Sequence, residues 1–132
     1  MTQILSTALS GLTAQAKKLA VSASNVANLR SLGVQPGSSQ PQAGEFAPQQ
    51  TALISTAGGG VRAEPVPVSP ASVPSYEPGA PDADGNGVVP RPNVSLEQEI
   101  VTQIEAQRAF EANLKVIEAE DDLLGELLDI RS

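Results

Sequence analysis

All eleven prolines of this 132-residue chain lie between Pro36 and Pro92. Proline removes a backbone donor and clashes with the preceding helical turn, costing about 3 kcal/mol inside a helix. The two ends are therefore free to form long helices, and the middle is not. Both ends also carry apolar residues at alternating steps of three and four, the spacing of a helix with one buried stripe. The sequence predicts a mainly α fold. Residues 1–32 form an N-terminal helical arm and residues 93–132 a C-terminal one, the two pairing as a coiled coil. Residues 33–92 join them as an extended Pro/Gly-rich segment with at most a small β element.

Little material is available for a compact core. The aromatic residues are Phe46, Phe110 and Tyr76, with no Trp, and much of the apolar count is Ala and Val. Aromatic side chains bury roughly 150–250 Å² each, and small domains already hide a smaller share of their surface. Much of the burial is therefore expected to come from neighbouring chains.

In the first arm Leu5, Leu9, Leu12, Ala16, Leu19, Ala23 and Val26 follow a 3.5-residue average, which keeps one stripe facing a partner helix. Gly11 weakens the helix locally but permits close helix approach. Asn28 and Gly33 are stop signals. The second arm opens with Ser95, which with Gln98 fits a capping box, and Glu97 and Glu99 complement the helix dipole. Leu96, Ile100, Phe110, Leu114, Ile117, Leu124 and Leu128 lie on one four-three series, and Val101, Ile104, Val116, Leu123, Leu127 and Ile130 widen the apolar face. So wide a face predicts more than one packing partner. Between the arms, Gly37 to Gly44 reads as a mobile loop and Gly58-Gly59-Gly60 as a turn. Phe46–Ile54 and Val61–Val68 have strand character, limited to one small sheet.

Charge is segregated. Residues 1–32 carry Lys17, Lys18 and Arg30 and no acid, whereas ten acids follow Leu96, within a formal net charge of −7. The basic footprint of a nucleic-acid binder is missing. No apolar run approaches the roughly 20 residues of a spanning helix. Lys17 and Lys18 follow the first apolar turns instead of preceding them, so a cleaved secretion signal is not expected.

With neither His nor Cys, no Ser–His pair and no thiol nucleophile can be built, and no phosphate-cradling loop is present. No catalytic residue, cofactor site or metal site is expected. The most site-like string, Asp82-Ala83-Asp84-Gly85-Asn86-Gly87, has the alternate acids that open a calcium loop, yet the twelfth position is Asn93 instead of a bidentate Glu. A tight turn explains the string better, with Asp84 and Asn86 bonding local backbone.

Three stretches together carry a resemblance. Ser24-Asn25-Val26-Ala27-Asn28 closes the first arm, and Arg108-Ala109-Phe110-Glu111-Ala112-Asn113 lies within the second. Between them, Tyr76-Glu77-Pro78-Gly79-Ala80-Pro81-Asp82-Ala83-Asp84-Gly85-Asn86-Gly87 leads into Pro92-Asn93-Val94. The chain resembles bacterial flagellar basal-body rod proteins, most closely the short proximal-rod C type. The resemblance implies an axial structural protein, not an enzyme. It would be exported without cleavage by the flagellar type III apparatus and built with copies of itself and related rod proteins into a helical tube crossing the periplasm. Its helix seams would hold Leu5, Leu9, Leu12, Leu19, Asn25, Val26 and Asn28 on the first arm. On the second they would hold Ile100, Ile104, Phe110, Asn113, Leu114, Ile117, Leu124 and Leu128. Tyr76, Pro78, Gly79, Asp82, Asp84 and Gly87 would form the family's loop motif. The alternative is a binding or regulatory module that uses the same helical arms without being part of a rod.

Overall fold

The computed structural model describes residues 2–38 and 40–131. Met1 and Ser132 of the two arms, and Ser39 of the 37–44 loop, lie outside the described residues. Helix α1 spans Thr2–Ala27 and helix α2 spans Leu96–Arg131. Between them run β1 (Leu32–Gly33), β2 (Glu45–Phe46), β3 (Gln49–Ser55), β4 (Val61–Pro67), β5 (Ser72–Tyr76) and β6 (Val88–Pro92).

The middle of the chain is therefore β-rich, which corrects the expected fold class. It forms three two-stranded sheets instead of an extended linker: β1 with β2 in parallel, and β3 with β4 and β5 with β6 as antiparallel pairs. Proline position explains how so many prolines coexist with strands. In an antiparallel ribbon every second residue points its N–H away from the partner strand, and proline is tolerated there. Pro65 and Pro67 are two apart on β4, and Pro90 and Pro92 two apart on β6, while Pro74 of β5 stands opposite Pro90. All fall on outward edges. The same placement denies a third strand its hydrogen bonds along the outer margins of β4, β5 and β6.

Both helix ends are capped as their sequences require. Asn28 donates through Nδ2 to the Ser24 carbonyl (2.9 Å) and accepts from the Ser31 hydroxyl (3.1 Å), closing α1. At the start of α2 the Ser95 hydroxyl accepts from the Gln98 backbone N–H (3.4 Å). In the β3–β4 turn Gly59 and Gly60 take φ of 80° and 101°, and the turn sits on α1, where Ser10 Oγ accepts from the Val61 N–H (3.1 Å).

The helices run antiparallel, because partners on α2 fall in number as those on α1 rise: Gly11 meets Asn113, Lys18 pairs with Glu105 and Asn25 with Glu99. This register leaves the last turns of α2, from about Leu123, beyond the start of α1. The buried apolar residues are Ala8, Ala14, Val21, Val34, Val89 and Ala106. Among the described residues no Leu, Ile or Phe is buried.

Candidate functional site

The inner seam of the helical pair is mostly small and polar, with Phe110 and Ile117 as its large apolar members. On α1 the residues turned inward are Ala8, Gly11, Ser22 and Asn25, in one four-three series. On α2 a matching series runs through Glu99, Gln103, Ala106, Phe110, Asn113, Ile117 and Glu120, none of it exposed. Gly11 lets the backbones approach, since a Cβ there would lie 2.5 Å from Asn113 Oδ1. Asn113 is itself held by a bond from Nδ2 to the Ala109 carbonyl (2.7 Å).

Asn25 is the junction of three elements. Its Nδ2 donates to the Gln49 carbonyl and to Glu99 Oε1, both at 2.7 Å, and its Oδ1 accepts from the Gln49 N–H (3.2 Å). Gln49 stands opposite Pro67, at a position whose backbone groups point off the ribbon, so the Asn25 amide supplies the partners a third strand would have given. One turn earlier, the Ser22 hydroxyl donates to the Glu99 carbonyl and accepts from Gln103 Nε2, each at 3.2 Å.

The large apolar residues lie on the other faces. Leu5, Leu9 and Leu19 of α1 are exposed, and Leu12, Val26 and Asn28 are half-buried. On α2, Ile100, Ile104, Leu114, Leu124 and Leu128 are exposed, with Leu128 at 70%, while Phe110, Asn113 and Ile117 are half-buried. Of the residues named from the sequence, the structure thus gathers Asn25, Phe110, Asn113 and Ile117 into the inner seam and leaves most of the leucine stripes facing outward.

The loop motif joins β5 to β6. Asp84 Oδ1 accepts from the backbone N–H groups of Val88 and Asn86, each at 2.8 Å, and these bonds hold its carboxyl below the usual range. Gly87 has φ of 76°, and a Cβ there would lie 3.0 Å from Pro78 and 3.1 Å from the Tyr76 ring. Asp82 is exposed, and Gly79 borders open space. Sequence reasoning missed the clamp beneath this loop. The Arg91 guanidinium grips both Glu77 carboxylate oxygens and donates from Nη1 to the Arg30 carbonyl (2.9 Å), tying the hairpin to the end of α1. The bonds from Arg91 and then Ser75 lower the Glu77 pKa to about 2. An Arg standing directly between two prolines, Pro90 and Pro92, was the available signal, since its side chain points to the opposite face of the ribbon from theirs.

Among the described residues no helix is long and apolar enough to cross a membrane, and no cluster of three acids could hold a metal ion. What remains as candidate site is the outward surface of two long helices. Residues 5–29, on α1, match the family model described as flagella basal body rod protein, and residues 86–130, on α2 and its approach, match that of flagellar basal body rod FlgEFG protein C-terminal. The chain is 42% identical over 110 residues to the flagellar basal-body rod protein FlgC of Salmonella typhimurium, covering 82% of this chain and 81% of that protein. The chain belongs to the FlgC family of flagellar basal-body rod proteins. Other FlgC proteins agree along more of its length. That of Agrobacterium fabrum is 35% identical over 127 residues (92% of this chain, 88% of the relative), and that of Yersinia enterocolitica 37% over 123 (92% and 90%). FlgC membership makes this a structural rod subunit of the flagellar basal body and not an enzyme.

Proposed function

We propose that this rod subunit assembles through the outward stripes of α1 and α2, with further copies and related rod proteins, into a helical tube in the proximal rod. One observation carries the reading. Large apolar side chains are exposed along both helices while the buried apolar residues of the core are Ala and Val. Covering each Leu or Ile would contribute about 1.5–3 kcal/mol, and the described residues form no further element to cover them. The subunit reaches a periplasmic rod unprocessed through the flagellar type III export apparatus, a route supported by the resemblance of both arms to rod proteins.

The test uses Leu19→Asp and Leu114→Asp, both at exposed stripe positions. Each places a charge where a neighbour would bury it, so seams between subunits should open. Mass spectrometry of purified hook–basal bodies should find the wild-type chain and neither variant. Motility should be lost while export of the variants into the medium continues. Glu111→Gln, an exposed control, should be incorporated normally. If both Asp variants built functional rods, the stripes would not be the assembly surface.

A further inference from the structure

We propose that the last turns of α2 dock into a groove between α1 and β4 on a second copy of this chain, which names a partner surface for the assembly proposed above and rests on that reading. The groove has a volume of about 460 Å³ and is walled by α1 on one side and β4 on the other. Its floor and lips include Leu9, Ala14, Val61 and Ala63, with Lys17 on the helical wall and Arg62 on the strand wall. Leu9 is 58% exposed, so this apolar surface is uncovered within the chain. Among the described residues Lys17 has no ion-pair partner, and Arg62 meets only the half-buried Glu64, at 2.7 Å.

The end of α2 has the complementary shape and charge. Residues 121–130 are all exposed, because the antiparallel register carries them past the start of α1. At about 100° per residue, Leu123, Leu124, Leu127, Leu128 and Ile130 share one face of roughly 160°. Asp121 borders that face on one side and Glu126 on the other. An apolar ridge with an acid along each border therefore meets an apolar groove with a cation on each wall. Charge also selects between the helices as partners. Residues 1–32 contain no acid, so α1 offers no like-charge repulsion to this acidic segment, whereas the acid-rich α2 of another copy would repel it. Ridge and groove are different surfaces, so each copy can offer one while receiving the other. Such a head-to-tail contact does not close as a two-fold dimer and propagates into an open helix wherever its rotation does not close a ring.

Cysteine pairing tests the contact directly, because the chain has no cysteine of its own. Thr13→Cys and Leu127→Cys are made as separate alleles and co-expressed in cells lacking the wild-type gene, and basal bodies are isolated and oxidised. Within one chain the two positions lie more than about 20 Å apart along the helix axes, so only a link between copies can form. A disulfide-linked dimer is expected with both alleles present and with neither alone. Basal bodies that contain both variants but yield no mixed dimer would overturn the docking and leave the rod reading standing. Intact motility with the chain missing from basal bodies would overturn both. A second measurement does not depend on those cysteines. Lys17→Glu with Arg62→Glu should lower the amount of incorporated chain about tenfold, the effect of a few reversed ion pairs, and adding Asp121→Lys with Glu126→Lys should restore it. Reversal without loss, or loss without restoration, would overturn the proposal.

Discussion

The seam between α1 and α2 and the outward faces of the same helices differ in what fills them. The seam is mostly small and polar, with Phe110 and Ile117 as its large apolar members, and the outward faces carry the leucines. The seam is built from Ala8, Gly11, Ser22, Asn25, Gln103, Ala106 and Asn113, joined by hydrogen bonds across the pair. The outward faces hold Leu9, Leu19, Ile100, Ile104 and Leu114. Most small domains place their leucines inside. Here close approach and polar pairing fix how the two helices meet, and the large apolar side chains are left exposed, available for the contacts between chains proposed above. Directional bonds suit the first task, because amides and hydroxyls specify one register. Non-directional burial suits the second, because its strength scales with area.

The division can be broken first at Asn25. Asn25→Leu removes three hydrogen bonds and leaves the Gln49 backbone and a Glu99 oxygen without those partners, so stability should fall by about 3 kcal/mol. The midpoint of urea unfolding of the purified chain measures it; an unchanged midpoint would mean that this junction does not hold the pair together.

Gly11→Ala gives a smaller effect with a sign that can be reversed. The new methyl meets the Asn113 side chain, a strain of about 2 kcal/mol, offset by about 1 kcal/mol of better helix propensity. A net loss near 1 kcal/mol is expected in the wild type. In an Asn113→Ala background the obstacle is gone and the same change should stabilise. Equal effects in the two backgrounds would show that the helices do not approach here.

Acid titration sharpens the comparison for the strands. Glu77 is held at about pKa 2 in the folded chain, below the ordinary 4.5, so its contribution is complete above pH 4.5 and disappears as pH falls towards 2. The stability difference between wild type and Glu77→Gln should therefore shrink over that window. A difference that stayed constant would mean that the Arg91 clamp does not depend on the Glu77 charge.

The smallest expected effect is on the outward face. Ile104→Asp should shift the unfolding midpoint of the isolated chain by no more than about 0.5 kcal/mol, since Ile104 is already exposed. A large loss would place Ile104 inside the single chain's own core.

The helix ends were plain in the sequence: Ser95 opens α2 and Asn28 closes α1, each through a side-chain bond that its residue type predicts. The Asp84 turn was plain for the same reason, because such bonds are local. The sheets were not. Proline content argued against strands, and only the two-residue spacing of Pro65 with Pro67 and of Pro90 with Pro92 shows that those prolines lie on ribbon edges. The inner seam was hidden because apolar periodicity marks a stripe that is to be covered but not which chain covers it. Ser22, Glu99 and Gln103 gave no apolar signal at all. Their pairing emerges only when the antiparallel register brings residues about eighty apart into contact.

The proline-edged ribbons also bear on how a crowded set of identical chains avoids tangling. Subunits that gather at high local concentration risk joining strand to strand into fibrils that never dissolve. Pro65, Pro67, Pro74, Pro90 and Pro92 remove the donors such joining needs, and Asn25 occupies the first outward-facing position of the proline-free β3. Growth by sheet extension is thereby discouraged along the outer margins of β4, β5 and β6 and at the start of β3, which leaves the reversible, geometrically exacting helix contacts proposed above as the favoured route of assembly.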